Sequence, residues 1–396
     1  MRFLLFLLAV SFCSCMGSNR YEGIPEKYHK GLDKALKIAG ENAGELTRAL
    51  DSCDARYKEG MAFLIVNMPE RDLKELKAGF LVNNVDFAYL ARERFPWAQN
   101  VPLDIFFNDV LPYVSLNEPR DEWRADFYGR FSAYVADCKD IFEAIDSVNR
   151  NLRDEVRVDY STRRKRPDQS PYESMAQGVA SCSGLSILLT DAFRSVGIPA
   201  RVAGTPSWHD NRGNHNWVEV WADGKWYFTE YYPNKLNLAW FFADAGKAVK
   251  GDSVYAIYAS SFQPADTYFP LVWDSTIRYV HAEDVTDRYV ELYREYEARI
   301  KADGNHVSLK VVMFKKEQKE QNSDDREAVN VDIFCGTEQV GGGRTPGVER
   351  DMNDMLEFLV EKNKTYTFKY AGSDRKPREV DVAVGDAPLT VRLFME

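Results

Sequence analysis

The 396-residue sequence predicts an α+β fold, and three observations carry that prediction. Residues 182–196 place apolar side chains at helical spacing. Residues 215–230 alternate at period two on either side of Asp223-Gly224, the strongest short hairpin signal. From about residue 304 the spacing becomes strand-like, whereas over 24–150 it is helix-like. A helical N-terminal region (24–150), a mixed core (151–303) and a small C-terminal β-sandwich (304–396) are therefore expected.

Length and composition bound the function. A chain of this size makes two or three domains. With 45% apolar and 13% aromatic residues, it can bury sizeable cores. The formal charge of −10 argues against a nucleic-acid partner. The five histidines are scattered, and the cysteines show neither Cys-x-x-Cys nor zinc spacing, so no metal and no cofactor are expected.

The first residues read as a targeting signal rather than as fold. Arg2 supplies a positive charge, and Phe3 to Phe12 form an apolar run too short to span a membrane. The Phe12-Cys13-Ser14-Cys15 that follows resembles the lipobox of bacterial lipoproteins. That resemblance implies a signal peptide over 1–14, lipidation at Cys15 and a tether over 15–23. The chain would sit in the bacterial cell envelope, held to the membrane by an N-terminal lipid anchor, with the periplasmic or surface side left open. Simple secretion after nearby cleavage is the alternative. In an oxidising compartment Cys53 and Cys138 have the option of pairing, which the sequence does not decide.

Within 24–150, Leu32, Leu36 and Ile38, then Leu73, Leu76 and Phe80, then Phe131, Tyr134 and Val135 sit at roughly helical spacing. Pro69, Pro96, Pro102 and Pro112 punctuate the helices. Structural support of the core is the expected role. The basic run Arg163-Arg-Lys-Arg166 reads as a solvated loop, with contact to an acidic substrate as the alternative.

The core opens on Gln177-Gly-Val-Ala-Ser-Cys182-Ser-Gly. Leu185, Leu188, Leu189, Ala192, Phe193 and Val196 form the stripe of a buried helix, Ser181 or Ser183 caps its start, and Gly197 with Pro199 ends it. Cys182 therefore sits at a helix N-terminus, where unpaired N–H groups and the dipole favour a thiolate. The plainer reading is a small buried residue that only packs. Gln177 is a candidate oxyanion donor.

In the hairpin, a two-residue turn at Asp223-Gly224 places Trp221 opposite Trp226, Glu219 opposite Phe228, Trp217 opposite Glu230 and His215 opposite Tyr232. His215, Trp217, Glu219, Trp221, Glu230 and Tyr232 then share one face. Glu230 becomes the diagonal neighbour of His215, roughly 7 Å away along the backbone. A slip of one residue would send Glu230 to the opposite face. Glu219 is a weaker partner for His215. Trp208, His209, Trp217 and Tyr232 are candidates for lining a cleft.

These blocks together resemble the transglutaminase-like superfamily within the papain-like group: Ser181-Cys182-Ser183, Gly197-Ile-Pro-Ala-Arg201-Val202, His215-Asn-Trp217-Val-Glu219-Val220 and Trp226-Tyr-Phe-Thr-Glu230. The resemblance covers roughly 150–275. It implies an α+β transglutaminase-like core with Cys182 as nucleophile, His215 as base then acid, and Glu230 as the group that orients the imidazole. The family usually carries Asp at that third position, so Glu230 is a departure with one extra methylene. The implied reaction is attack on an amide carbonyl, a thioester acyl-enzyme, and release by water or by an amine.

After the hairpin, Tyr255, Tyr258, Phe262, Tyr268, Phe269 and Trp273 are expected mostly in the core, and Asp284 to Ala302 reads as a charged helix. Beyond 304, five alternating strands are expected at Val307–Phe314, Val329–Phe334, Thr365–Tyr370, Glu379–Val384 and Leu389–Phe394. Polar or glycine-rich connections, including 315–325 and 341–347, separate them. The expected activity is a cell-envelope cysteine hydrolase acting on an amide of a peptide, protein or glycopeptide. An acyl-transferring enzyme and a catalytically silent binding lipoprotein are the alternatives.

Overall fold

The computed structural model describes residues 21–232, 235–318, 323–348, 350 and 354–396. The signal segment 1–14, Cys15 and the tether up to residue 20 lie outside the described residues.

The region expected to be helical is helical, and its prolines explain the breaks. Pro69 and Pro102 stand immediately before the helices Glu70–Glu75 and Leu103–Asp109, and Pro96 opens Pro96–Gln99. At a helix start the missing N–H removes no bond. Leu32, Leu46, Met61, Leu64, Leu81 and Val85, all fully buried, belong to one apolar cluster of this region.

A second cluster corrects the expected boundary at residue 150, which falls inside the helix Ile141–Val156. That helix and Trp123–Val135 pack on the helix Cys182–Ser195. Phe127, Phe131, Val148, Leu188, Leu189 and Phe193 share one core with no exposure. Burying each such side chain contributes about 1.5–3 kcal/mol. Side chains from the helical region also reach the C-terminal end of Cys182–Ser195. Trp97 Nε1 donates to the carbonyl of Val196 at 3.1 Å, and Arg124 donates to that of Arg194 at 3.2 Å. Helix-end carbonyls lack partners within the helix, and these bonds satisfy two of them.

The central sheet has six strands in the order Lys225–Thr229, His215–Ala222, Ala200–Thr205, Tyr258–Ser261, His281–Asp284 and Thr267–Tyr268, all antiparallel. Val218 and Val220 face the Cys182 helix, while Trp217 and Ala203 pack on Phe241, Phe242 and Tyr289. Tyr289 lies on the charged helix, which runs Thr286–Ala302.

The C-terminal residues form a four-stranded and a three-stranded sheet that share one apolar cluster. Besides the five expected strands there are two more, Glu338–Arg344 and Leu356–Glu361. The first corrects the reading of 341–347 as a loop. Its glycines are a packing requirement: a Cβ on Gly341 would lie 3.0 Å from Phe358, and one on Gly343 would strike Leu356. Small residues there admit the facing side chains, which local spacing cannot reveal. This strand also docks on the core, where the Arg344 N–H donates to Asp210 at 2.9 Å.

All four cysteines among the described residues are free. Cys53 and Cys138 do not pair, because they belong to different clusters: Cys53 is buried in the N-terminal one, and Cys138 packs against the second.

Candidate active site

Ser181 caps the Cys182–Ser195 helix, its hydroxyl accepting the N–H of Gly184 at 3.2 Å, so Cys182 is the first helical residue. Ser181 in turn donates to the Pro167 carbonyl at 2.5 Å, anchoring the helix start. The thiol is therefore held where backbone N–H groups lack intrahelical partners.

His215 opens its strand, and the hairpin pairs as the Asp-Gly turn requires: Ala222 with Lys225, Trp221 with Trp226, Glu219 with Phe228. Asp223 and Gly224 both take positive φ, 46° and 81°, as a tight primed turn demands. The ladder closes at Val218 and Thr229, one pair short of Trp217 and Glu230. Beyond it, contacts from elsewhere hold the segment. Asn149 of Ile141–Val156 donates to the Glu230 carbonyl at 2.7 Å, and the Tyr231 hydroxyl donates to the Val158 carbonyl at 2.8 Å. Glu230 Oε1 then lies 2.8 Å from His215 Nε2. The longer glutamate side chain reaches the ring.

With Nε2 on Glu230, Nδ1 is the ring nitrogen left for the thiol. Burial is the largest influence on Cys182 and pushes its pKa up. The hydrogen bond and charge of His215, the Asn216 N–H and the Ser183 hydroxyl outweigh it, and the net shift is downward. Burial alone would depress His215, but hydrogen bonds and charges from Cys182 and Glu230 raise it to about 9. Opposite shifts on a thiol and an imidazole in contact favour a thiolate–imidazolium pair. Asn216 also fixes the neighbourhood, donating to the Ser183 hydroxyl at 2.8 Å. Gly204 is its partner across the ladder, and a Cβ there would strike the Asn216 side chain.

The other expected site residues are distributed differently. Trp208 and Trp217 do not line an open cleft; they are 4% and 1% exposed. Trp208 stacks on Trp217 and Phe241, and both tryptophans flank the imidazole. Trp240 and Phe241 complete this aromatic bed, with ring centroids 5.0 and 5.2 Å from His215. Tyr232 is exposed, and its hydroxyl accepts the Tyr160 N–H at 2.8 Å. Gln177 accepts the Lys165 N–H at 3.1 Å, tying a neighbouring loop; the backbone N–H that helps lower the Cys182 thiol is that of Asn216. Glu219 is occupied away from His215, buried against Arg201, Arg288 and the Tyr289 hydroxyl. His209 lies on the surface loop, and burial with the nearby Lys247 charge lowers it to about 4, too low for a base at neutral pH. Its neighbours Asp210 and Asp244 both pair with Arg212.

Sequence reasoning missed Asn149, Asn216, Trp240 and Phe241. Trp240-Phe241 is an apolar pair without periodicity, and the two asparagines act through contacts that no local pattern signals.

A family model described as the transglutaminase-like superfamily matches residues 130–231, a segment that contains Cys182, His215 and Glu230. This segment belongs to the transglutaminase-like superfamily. No curated protein matches the chain. Among solved structures, 32 chains match. A candidate cysteine protease from Cytophaga hutchinsonii is 15% identical over 35% of this chain and 45% of its own, with a TM-score of 0.28. Red sea bream transglutaminase is 11% identical over 76% of this chain and 59% of its own, with a TM-score of 0.25. The chain thus spans less than two thirds of either structure. The transglutaminase-like core includes Asn149 as well, so the match takes in the residue that holds Glu230 in place.

Proposed function

We propose that this chain is a cysteine-type amide hydrolase. The observation that carries the reading is the bond from His215 Nε2 to Glu230 at 2.8 Å, and the downward shift that His215 gives the Cys182 thiol supports it. The Cys182 proton passes to His215 Nδ1, and the thiolate attacks the carbonyl carbon of an amide. The oxyanion that forms is met by N–H groups at the helix start. Collapse breaks the C–N bond, His215 gives its proton to the leaving nitrogen, and a thioester remains. Water, deprotonated by His215, releases the acid and restores the thiol. Glu230 holds the ring in the right orientation and offsets its charge. A primary amine in place of water gives acyl transfer; product analysis with and without added amine separates the two, and transfer dominating in dilute amine removes the hydrolase label.

Alkylation of Cys182 by iodoacetamide across pH tests the core of the reading. The thiolate is expected to form well below the free-thiol value of about 8.5, and a second change is expected near pH 9 as His215 loses its proton. The two steps belong to the coupled pair rather than to either group alone. In His215→Ala the low-pH reactivity should disappear. An ordinary thiol profile, unchanged in that variant, would instead favour a catalytically silent scaffold that binds.

The Phe12-Cys13-Ser14-Cys15 motif supports placing this activity at a bacterial envelope membrane, with the core on a lipid tether. The mass of the mature N-terminus, acylated on Cys15 or not, tests that placement.

A further inference from the structure

The basic run at 163–166 stands out in a chain of charge −10, and the fold brings it to the nucleophile. The short strand Asp159–Tyr160 pairs in parallel with Val179–Ala180, which leads directly into Ser181 and Cys182. The loop that follows is tied at two points to the same segment: the Ser161 N–H donates to the Ala180 carbonyl at 2.9 Å, and the Lys165 N–H donates to Gln177 at 3.1 Å. Tyr160 registers the closeness. Burial raises its pKa, the Cys182 charge adds to the rise, and the Arg164 charge opposes it.

The cations divide into one used within the fold and three left over. Arg166 is paired with buried Asp168 through two bonds of 2.8 Å. Among the described residues, Arg163, Arg164 and Lys165 have no carboxylate partner. Arg164 reaches only the Thr162 carbonyl, at 3.0 Å. Three acidic groups of this part of the fold are already engaged: Asp159 by Arg153, Glu230 by His215 and Asp168 by Arg166. A loop of net positive charge is therefore tied beside the segment that leads into Cys182.

We propose that Arg163, Arg164 and Lys165 form a subsite for an anionic acyl donor, a peptide-like amide with a carboxylate close to the scissile bond. Three positive charges on the loop tied beside the nucleophile's segment attract such a group, and the attraction weakens as salt screens it. As a substrate class, the inference rests on the amide-hydrolase reading above. As an electrostatic property of the loop, it can be measured without turnover.

The experiment compares alkylation of Cys182 by iodoacetate and by iodoacetamide, in the full chain and in the triple variant Arg163→Gln, Arg164→Gln, Lys165→Gln. The ratio of the two rates cancels any change in thiolate fraction. At low salt the iodoacetate-to-iodoacetamide ratio should fall roughly three- to ten-fold in the variant. Added NaCl should shrink this difference, and a second variant, Arg163→Lys with Arg164→Lys, should keep the parent ratio. A ratio equal in parent and triple variant overturns the proposal. A matched pair of peptide amides, Glu or Gln beside the scissile bond, then separates the two readings. Faster cleavage of the Glu peptide by the parent alone supports both. Equal cleavage of the two peptides overturns the subsite while the hydrolase stands. Cleavage of neither, with the alkylation ratio changed as expected, counts against the hydrolase and leaves the cationic loop.

Discussion

Replacing Cys182 by serine is expected to lower amide turnover by a factor on the order of 10⁴ or more, the scale seen when a covalent nucleophile is removed. The hydroxyl has nearly the shape of the thiol but is far less acidic, so the neighbouring imidazolium no longer stabilises a ready anion. The helix start should survive, because its cap is Ser181 rather than residue 182. Steady-state turnover of any amide that the parent cleaves gives the first number. Mass spectrometry of the quenched reaction gives the second, with an acyl adduct on the parent and none on the variant. Retention of even a tenth of the parent rate would mean that another group performs the attack.

The largest expected effect on stability comes from Glu219. Its carboxylate is 1% exposed and binds Arg201 at 2.9 Å, Arg288, and the Tyr289 hydroxyl at 2.7 Å. Glu219→Ala leaves the buried Arg201 with Glu283 as its remaining salt-bridge partner among the described residues, itself about half exposed. Removing one member of a buried ion pair costs about 3–5 kcal/mol, which urea unfolding would report as a lower midpoint. The pH dependence follows the same group. Burial, the largest influence, pushes the Glu219 pKa up, but the charges of Arg288 and Arg201 outweigh it and the folded value is depressed. Its contribution is therefore complete above the unfolded carboxylate pKa of about 4.3 and is lost as pH falls through the folded value. A midpoint shift worth less than about 1 kcal/mol would show that solvent screens the cluster. The loss should also reach the site, since the Tyr289 hydroxyl accepts from Trp217, which stacks beside His215.

What could be read from the sequence was local. The helix starting at Cys182 follows from spacing and a serine cap, and the hairpin register follows from Asp223-Gly224. The same register points Glu230 toward the face of His215; that Cys182 joins them is implied by the family resemblance, not by period or turn chemistry. What could not be read is held by distant contacts. Glu230 lies past the end of its ladder and depends on Asn149, 81 residues earlier. Trp208 and Trp217 looked like cleft aromatics, because sequence does not tell a buried tryptophan from an exposed one. Gly341 to Gly343 looked like a loop because glycine usually marks turns; here it makes room for Leu356 and Phe358. The boundary placed at 150 failed for a related reason: the helix it cuts is amphipathic and solves its packing against an element that comes later in the chain.

The bonds from Trp97 and Arg124 to the end of the nucleophile helix bear on any attempt to move this chemistry elsewhere. A cassette excised at the edges of the recognisable motif, 130–231, would carry every reacting group and the asparagine behind Glu230. It would also carry a helix whose final carbonyls had lost two donors and whose apolar flank had lost Trp123 and Phe127. The structural unit is wider than its signature, and a graft should begin before residue 97 if the thiol is to arrive on a helix that stays closed at its far end.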